Sequence, residues 1–91
     1  MTSPIILYQD RDIKITYFPW GDSYDIRFKP GAITIGKGVL EELAKTESSE
    51  LRNKLIAADS NSDYVLRANG ISYDRIGLAI AQARIKELEC V

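Results

Sequence analysis

The sequence contains no histidine and one cysteine, Cys90, among its 91 residues. Without histidine the chain lacks the commonest general base, the commonest metal ligand and every serine–histidine or cysteine–histidine nucleophile pair. A single cysteine excludes an internal disulfide, so we expect a cytoplasmic setting. No apolar run approaches the ~20 residues of a membrane helix, and no signal-peptide pattern opens the chain. We therefore expect a protein that is not an enzyme and has no catalytic residues, no cofactor and no metal.

The sequence also lacks an excess of either charge. Twelve Lys and Arg residues stand against thirteen Asp and Glu residues, which leaves a net charge of −1. Neither half of the chain carries a polybasic arm, so we expect no membrane binding and only weak non-specific attraction to nucleic acid. With 45% hydrophobic residues, the chain is apolar enough to fold, and its length predicts one domain over residues 1–91.

Residues 4–36 show the two-residue alternation of strands. Apolar residues alternate with polar ones around Ile13 and Ile15 and again around Ile26, which predicts strands that bury one face. Turn residues separate the segments at 9–12, at 19–22 and at Pro30–Gly31. The segment 4–36 is therefore predicted to form an antiparallel meander of about four strands.

Residues 38–89 show a period of about 3.6, which indicates two to four helices. Capping residues at 46–50 predict a break between two helices, although no glycine or proline excludes one helix over 38–58. Residues 64–68 suit a strand or a helix, and the following Asn69-Gly70-Ile71 favours a helix end. A long C-terminal helix is expected from Ser72 to Glu89, because only Gly77 interrupts it.

The C-terminal helix is apolar over more than half of its circumference. A helix of this kind requires partners on more than one side. We expect it to pack on the apolar face of the sheet and give an α+β domain of two layers. A homodimer is expected to cover the part of its surface that the core leaves exposed.

Two short motifs resemble ligand sites but lack essential parts. The spacing of Asp59, Asn61 and Asp63 matches the first half of a calcium loop, but Tyr64 replaces the required glycine and Gly70 the required glutamate. Gly36-Lys37-Gly38 lacks the Lys-Ser/Thr ending of a phosphate-binding loop. We interpret the first as an interhelical loop and the second as a joint between strand and helix.

The lone tryptophan, Trp20, lies in a predicted turn with Phe18 and Tyr24 nearby in sequence. Aromatic side chains exposed on a turn are suitable anchors for a protein partner. The alternative is that Trp20 folds back onto its own sheet. We interpret Phe18, Trp20 and Tyr24 as candidate protein-binding residues.

The segment from Gly70 to Ala79 resembles the turn and second helix of helix-turn-helix proteins. The glycine would end one helix, Ser72 would cap the next, and Ile76 would lock the two together. The resemblance implies that Ser72, Tyr73, Arg75 and Gln82 face the major groove of DNA. Asp74 would then face phosphates, and the helix is more apolar than a groove-reading helix.

We expect a small non-catalytic interaction or regulatory protein that acts through protein–protein contacts, as a homodimer. The alternative is a DNA-binding regulator that uses the corner around Gly70–Ser72.

Overall fold

The computed structural model describes residues 3–89. Four strands form one sheet in the order β1-β2-β3-β4, with every neighbouring pair antiparallel. The strands are β1 (Ile5–Gln9), β2 (Lys14–Phe18), β3 (Ser23–Arg27) and β4 (Ala32–Gly36). The predicted meander is confirmed. Gly31 has the positive φ, 88°, that the Pro30–Gly31 turn requires.

Four helices follow the sheet within the described residues. They are α1 (Val39–Ala44), α2 (Ser48–Ala58), α3 (Ser62–Ala68) and α4 (Tyr73–Glu89). Residues 38–58 therefore form two helices, and residues 64–68 are helical. Helix α1 ends at Ala44 with Lys45 as its C-cap, and Thr46 satisfies carbonyls of the last turn: its hydroxyl donates to the Glu42 carbonyl at 2.7 Å, and its N–H donates to the Leu43 carbonyl at 3.1 Å.

The core lies between the sheet and the helices. Alternating residues of the strands, Ile15, Ile26 and Ile33 among them, are fully buried. Helix α4 packs against β1 and β2, and also contacts α1 and α2, while the three shorter helices pack near β4. Its buried residues Ile76, Ala79, Ile80 and Ala83 share one side. The two-layer α+β architecture with α4 on the sheet is confirmed.

One irregularity in the sheet is not visible in the sequence pattern. The register of β1 against β2 shifts between Ile6 and Tyr8, which marks a β-bulge. The bulge places Ile6 opposite Thr16, and Tyr8 opposite Ile15. Leu7, at the bulge, is buried. Ile6 and Tyr8 consequently lie on opposite faces of the sheet, with Ile6 on the face that the helices do not cover.

Candidate functional site

The face of the sheet opposite the helices is open. The strand register places Ile6, Thr16, Asp25 and Thr34 in one row across all four strands, and residues in such a row share a face. Their neighbours two positions along β2 and β3 are Lys14, Phe18 and Arg27. We call the face formed by these seven residues the outer sheet surface.

A groove of about 400 Å³ crosses the outer sheet surface. It is lined by Pro4, Ile6, Lys14, Thr16, Phe18, Asp25 and Arg27. Thr16, one of these lining residues, is only 8% exposed although none of the helices within residues 3–89 packs on this face. The Asp25 carboxylate is paired with the Arg27 guanidinium at 3.1 Å. The groove thus combines apolar walls with the cation Lys14 and an ion pair.

Trp20 extends this surface at the turn between β2 and β3. Its side chain is 65% exposed, which answers the question that the sequence left open: Trp20 does not fold into the core. Its ring lies against Phe18 with a centroid distance of 5.4 Å. Trp20 and Phe18 therefore form one aromatic cluster next to the groove.

Two hydrogen bonds stabilise the turn that carries Trp20. The Gly21 N–H donates to the Phe18 carbonyl at 3.2 Å, which closes the turn. Asp22 adopts a positive φ of 47° and accepts a hydrogen bond from the Tyr17 hydroxyl at 2.7 Å. That hydrogen bond raises the pKa of Tyr17 above its ordinary value. These contacts hold the backbone of the turn that carries Trp20.

Tyr24 does not join the aromatic cluster. It lies on the core face of the sheet, is only 6% exposed, and packs against Tyr17. Its hydroxyl donates to the Glu87 carboxylate of α4. Burial and then this hydrogen bond raise the pKa of Tyr24 strongly. Of the three candidate protein-binding residues, the structure brings together Phe18 and Trp20 and places Tyr24 in the interior.

The corner between α3 and α4 has the local geometry that the sequence predicts. Gly70 has a φ of 66°, and the Ile71 N–H donates to the Leu66 carbonyl at 2.9 Å while the Gly70 N–H donates to the Arg67 carbonyl at 3.1 Å. These two bonds define a Schellman motif. The Ser72 hydroxyl accepts the Arg75 N–H at 3.1 Å and caps α4.

The side chains expected to face DNA are largely engaged in contacts within the chain. The Arg75 guanidinium donates to the Asp12 carboxylate at 2.7 Å and lies 3.6 Å from Asp10, which ties α4 to the β1–β2 turn. The hydrogen bond to Asp12 raises the pKa of Arg75. The Tyr73 hydroxyl donates to the Asp63 carboxylate at 2.6 Å. Gln82 is exposed. The corner therefore presents carboxylates beside its arginine rather than a basic patch.

The two motifs that resemble ligand sites have structural roles. The Asp59 carboxylate accepts the N–H groups of Asn61 at 3.0 Å and of Thr34 at 3.1 Å, so it joins the interhelical loop to β4. Asp63 instead pairs with Arg52 and Arg67. Gly38, with a φ of 83°, begins the six-residue helix α1. Within residues 3–89 no three potential metal-ligating side chains converge, and Cys90 lies outside this range.

The alternation of apolar and polar residues in the strands predicts a polar face of the sheet, but no local pattern predicts the groove on that face. The contributions of Pro4 and Ile6 were missed because they depend on the bulge in β1. None of the helices in the described range has the length and hydropathy needed to cross a bilayer. The chain matches no protein-family model, no curated protein and no solved structure.

Proposed function

We propose that this chain is a small non-catalytic interaction protein that acts as a homodimer and binds a protein partner through the outer sheet surface, with Phe18 and Trp20 as anchors. One observation carries the proposal: Trp20 is 65% exposed yet held in place against Phe18. A large aromatic group in water adds little to the stability of the fold, whereas a rigid exposed aromatic group loses little entropy on binding.

The chemistry of the groove favours a protein over a nucleic acid. Its walls include Pro4, Ile6 and Phe18, and its polar groups include the Asp25–Arg27 ion pair. Protein interfaces are enriched in aromatic residues and arginine around an apolar centre. A surface that grips phosphates needs a denser group of cations than Lys14 and Arg27 provide.

Self-association is part of the proposal because α4 carries a second exposed apolar surface. Leu78, Ile85 and Leu88 are each more than half exposed, although α4 is already packed on the sheet by its opposite side. Contiguous exposed aliphatic residues of this kind mark interaction sites. The cytoplasmic setting remains a proposal that is supported by the low cysteine content.

The DNA-binding alternative has one supporting observation, the Schellman motif and serine cap at the α3–α4 corner. These bonds are common at the ends of helices in general and are not specific to DNA-binding proteins. Arg75, the one cation among the four candidate residues, is bound to Asp12 and lies near Asp10. The outer sheet surface therefore has the stronger support.

The test is affinity capture from an extract of the native host, with and without nuclease, followed by direct measurement on the captured protein. A photo-crosslinking amino acid at position 14, in the lining of the groove, leaves both anchors in place and is expected to label that partner, and one at position 64 is not. Tyr64 is the matched control because it is 75% exposed on α3, which packs near the far end of the sheet from Trp20.

Trp20→Ala is expected to weaken partner binding by about 30-fold or more, as for an interface hot spot, and Tyr64→Ala is expected to leave it unchanged. Thermal denaturation of both variants should match the wild-type chain. Equal binding by Trp20→Ala and wild type would refute the anchor role, and so would loss of the fold in Trp20→Ala. Capture that disappears after nuclease treatment would favour the nucleic-acid alternative.

A further inference from the structure

Helix α4 has two apolar sides. One side, with Ile76, Ile80 and Ala83, is buried against the sheet and the other helices. At 100° per residue, a second row lies on the opposite side of the helix. It consists of Leu78, Ala81, Ile85 and Leu88, and we call it the α4 outer stripe. Leu78 is 68% exposed, Ile85 52% and Leu88 56%, so nothing within the described chain covers the stripe.

The spacing of the stripe is that of a helix–helix seam. Its members are separated by three, four and three residues, which is the a/d pattern of a heptad repeat. A single exposed leucine is ordinary on a protein surface. Three large aliphatic residues and a small one at heptad spacing, on the side away from the core, provide the knobs and holes that a second helix needs.

Resting on the homodimer proposed above, we propose that the α4 outer stripe pairs with the same stripe of a second copy of this chain, and that the two helices run antiparallel. Under a twofold axis, Leu78 then contacts Leu88 of the second copy, and Ala81 contacts Ile85 of the second copy. Each contact occurs twice, because the same surface is used by both copies. In the two central contacts the large side chain of Ile85 packs against the small side chain of Ala81, which allows the helices to approach closely.

Charge supports the antiparallel direction. Asp74 lies one turn before Leu78 at the next position of the same stripe. Parallel helices would place the two Asp74 carboxylates against each other in the seam, which is repulsive. The antiparallel arrangement places Asp74 past the end of the partner's stripe. It also sets Gln82 beside Gln82 of the second copy.

A groove beside Leu78 can accommodate the side chain of Leu88 of the second copy. It has a volume of about 320 Å³ and is lined by Thr46, Ser48, Leu51, Asp74, Gly77 and Leu78. The absence of a side chain at Gly77 lets α2 approach α4, since an added Cβ would lie 3.2 Å from a methyl group of Leu51. Leu88 of the second copy reaches this groove in the antiparallel arrangement, and its side chain fits the volume.

One pair of helices buries less surface than a standard interface. Interfaces below about 1,200 Å² belong to the weak and transient class. We therefore expect a monomer–dimer equilibrium with a dissociation constant of about 1–100 μM. The dimer leaves Trp20 accessible, because the stripe lies on the opposite layer of the molecule from the outer sheet surface.

The test is analytical ultracentrifugation of the full chain over a range of concentrations that spans this constant. The wild type is expected to shift from monomer to dimer, and Ile85→Glu is expected to stay monomeric. Tyr64→Glu, on another exposed surface, should dimerise as the wild type does. Circular dichroism and thermal denaturation check that all variants keep the fold, and Leu78→Glu provides a second variant of the stripe.

The direction is tested by mixing two variants. Leu78→Glu and Leu88→Lys should each be monomeric alone, but together they place Glu beside Lys in one layer and Leu beside Leu in the other if the helices are antiparallel. The mixture should therefore regain dimers, whereas a parallel pairing would not be rescued.

The outcomes separate the two proposals. A wild type that stays monomeric throughout overturns both the homodimer and this inference. A dimer that survives Ile85→Glu overturns the inference alone and leaves the homodimer standing. Loss of the dimer in the single variants without rescue in the mixture overturns the antiparallel direction. Partner binding through Trp20 is measured separately and is independent of all three results.

Discussion

The two faces of the sheet differ in what their side chains do. The inner face carries Ile15, Ile26 and Ile33, which are fully buried by the helices. The outer face combines threonines and charged residues with Ile6 and Phe18, and no helix of the described part of the chain covers it. The inner face explains why the chain folds, since removal of apolar surface from water dominates stability. The outer face keeps apolar groups in water and is therefore where function is to be sought.

The largest expected difference between the two faces is in the cost of truncating one isoleucine on each. Ile26→Ala removes a fully buried side chain and is expected to cost about 2–5 kcal/mol, from lost burial and the cavity left behind. Ile6→Ala on the outer face, where the side chain is 47% exposed, should cost about 1 kcal/mol or less. Urea denaturation followed by circular dichroism measures both. Similar costs for the two variants would show that the outer face is covered in solution.

The neighbouring residues Tyr24 and Tyr17 test the same difference at the border of the core, because only Tyr24 is buried. Tyr24→Phe removes the hydroxyl that donates to Glu87 and is expected to cost about 1–2 kcal/mol, because a partly buried charged acceptor loses its donor. Tyr17→Phe removes an exposed bond to Asp22 and should cost about 0.5 kcal/mol or less. Thermal denaturation of the two single variants gives the difference. The assignment of Tyr24 to the interior fails if the order is reversed.

Arg75 distinguishes a structural role from a DNA-binding one. Arg75→Ala removes the contacts to Asp12 and Asp10, and the expected cost is about 1 kcal/mol or less because these groups are partly solvated. The control is Arg11→Ala, at an exposed turn position. Retention of the wild type on immobilised DNA at low salt, lost in Arg75→Ala but not in Arg11→Ala, would revive the helix-turn-helix interpretation.

The smallest expected effect is the dependence of stability on pH through the Asp10 carboxylate. Burial alone would raise the pKa of Asp10, but hydrogen bonds from the Tyr8 hydroxyl and from the N–H groups of Asp12 and Ile13 lower it below its ordinary value of 3.8. A carboxylate with a lowered pKa adds stability above the unfolded-state value and loses it as the pH falls through the folded-state value.

The melting temperature of Asp10→Asn should therefore lie below that of the wild type at neutral pH, and the gap should shrink below about pH 4. Thermal melts from about pH 7 to pH 2 measure this difference. A gap that stays constant over the whole range would contradict the role of the Asp10 carboxylate. Asp74→Asn, at an exposed position of the first turn of α4, serves as the control.

The sequence predicts the features that depend on neighbours along the chain. The alternation around Ile15 and Ile26 fixes which face is buried, and Gly70 with Ser72 fixes the corner. Contacts between distant residues are not encoded in any local pattern: Arg75 reaches Asp12, and Tyr24 reaches Glu87, each across 63 positions. The groove was missed for the same reason, because a bulge in β1 decides which way Ile6 points.

The contact between Asp59 and the Thr34 N–H has a consequence for the exposed edge of the sheet. β4 is an edge strand, and its outward N–H groups could template pairing with a strand from another molecule. An incoming strand would have to displace the Asp59 carboxylate and bury its charge. That carboxylate therefore protects the β4 edge of the sheet against pairing with a strand of another molecule.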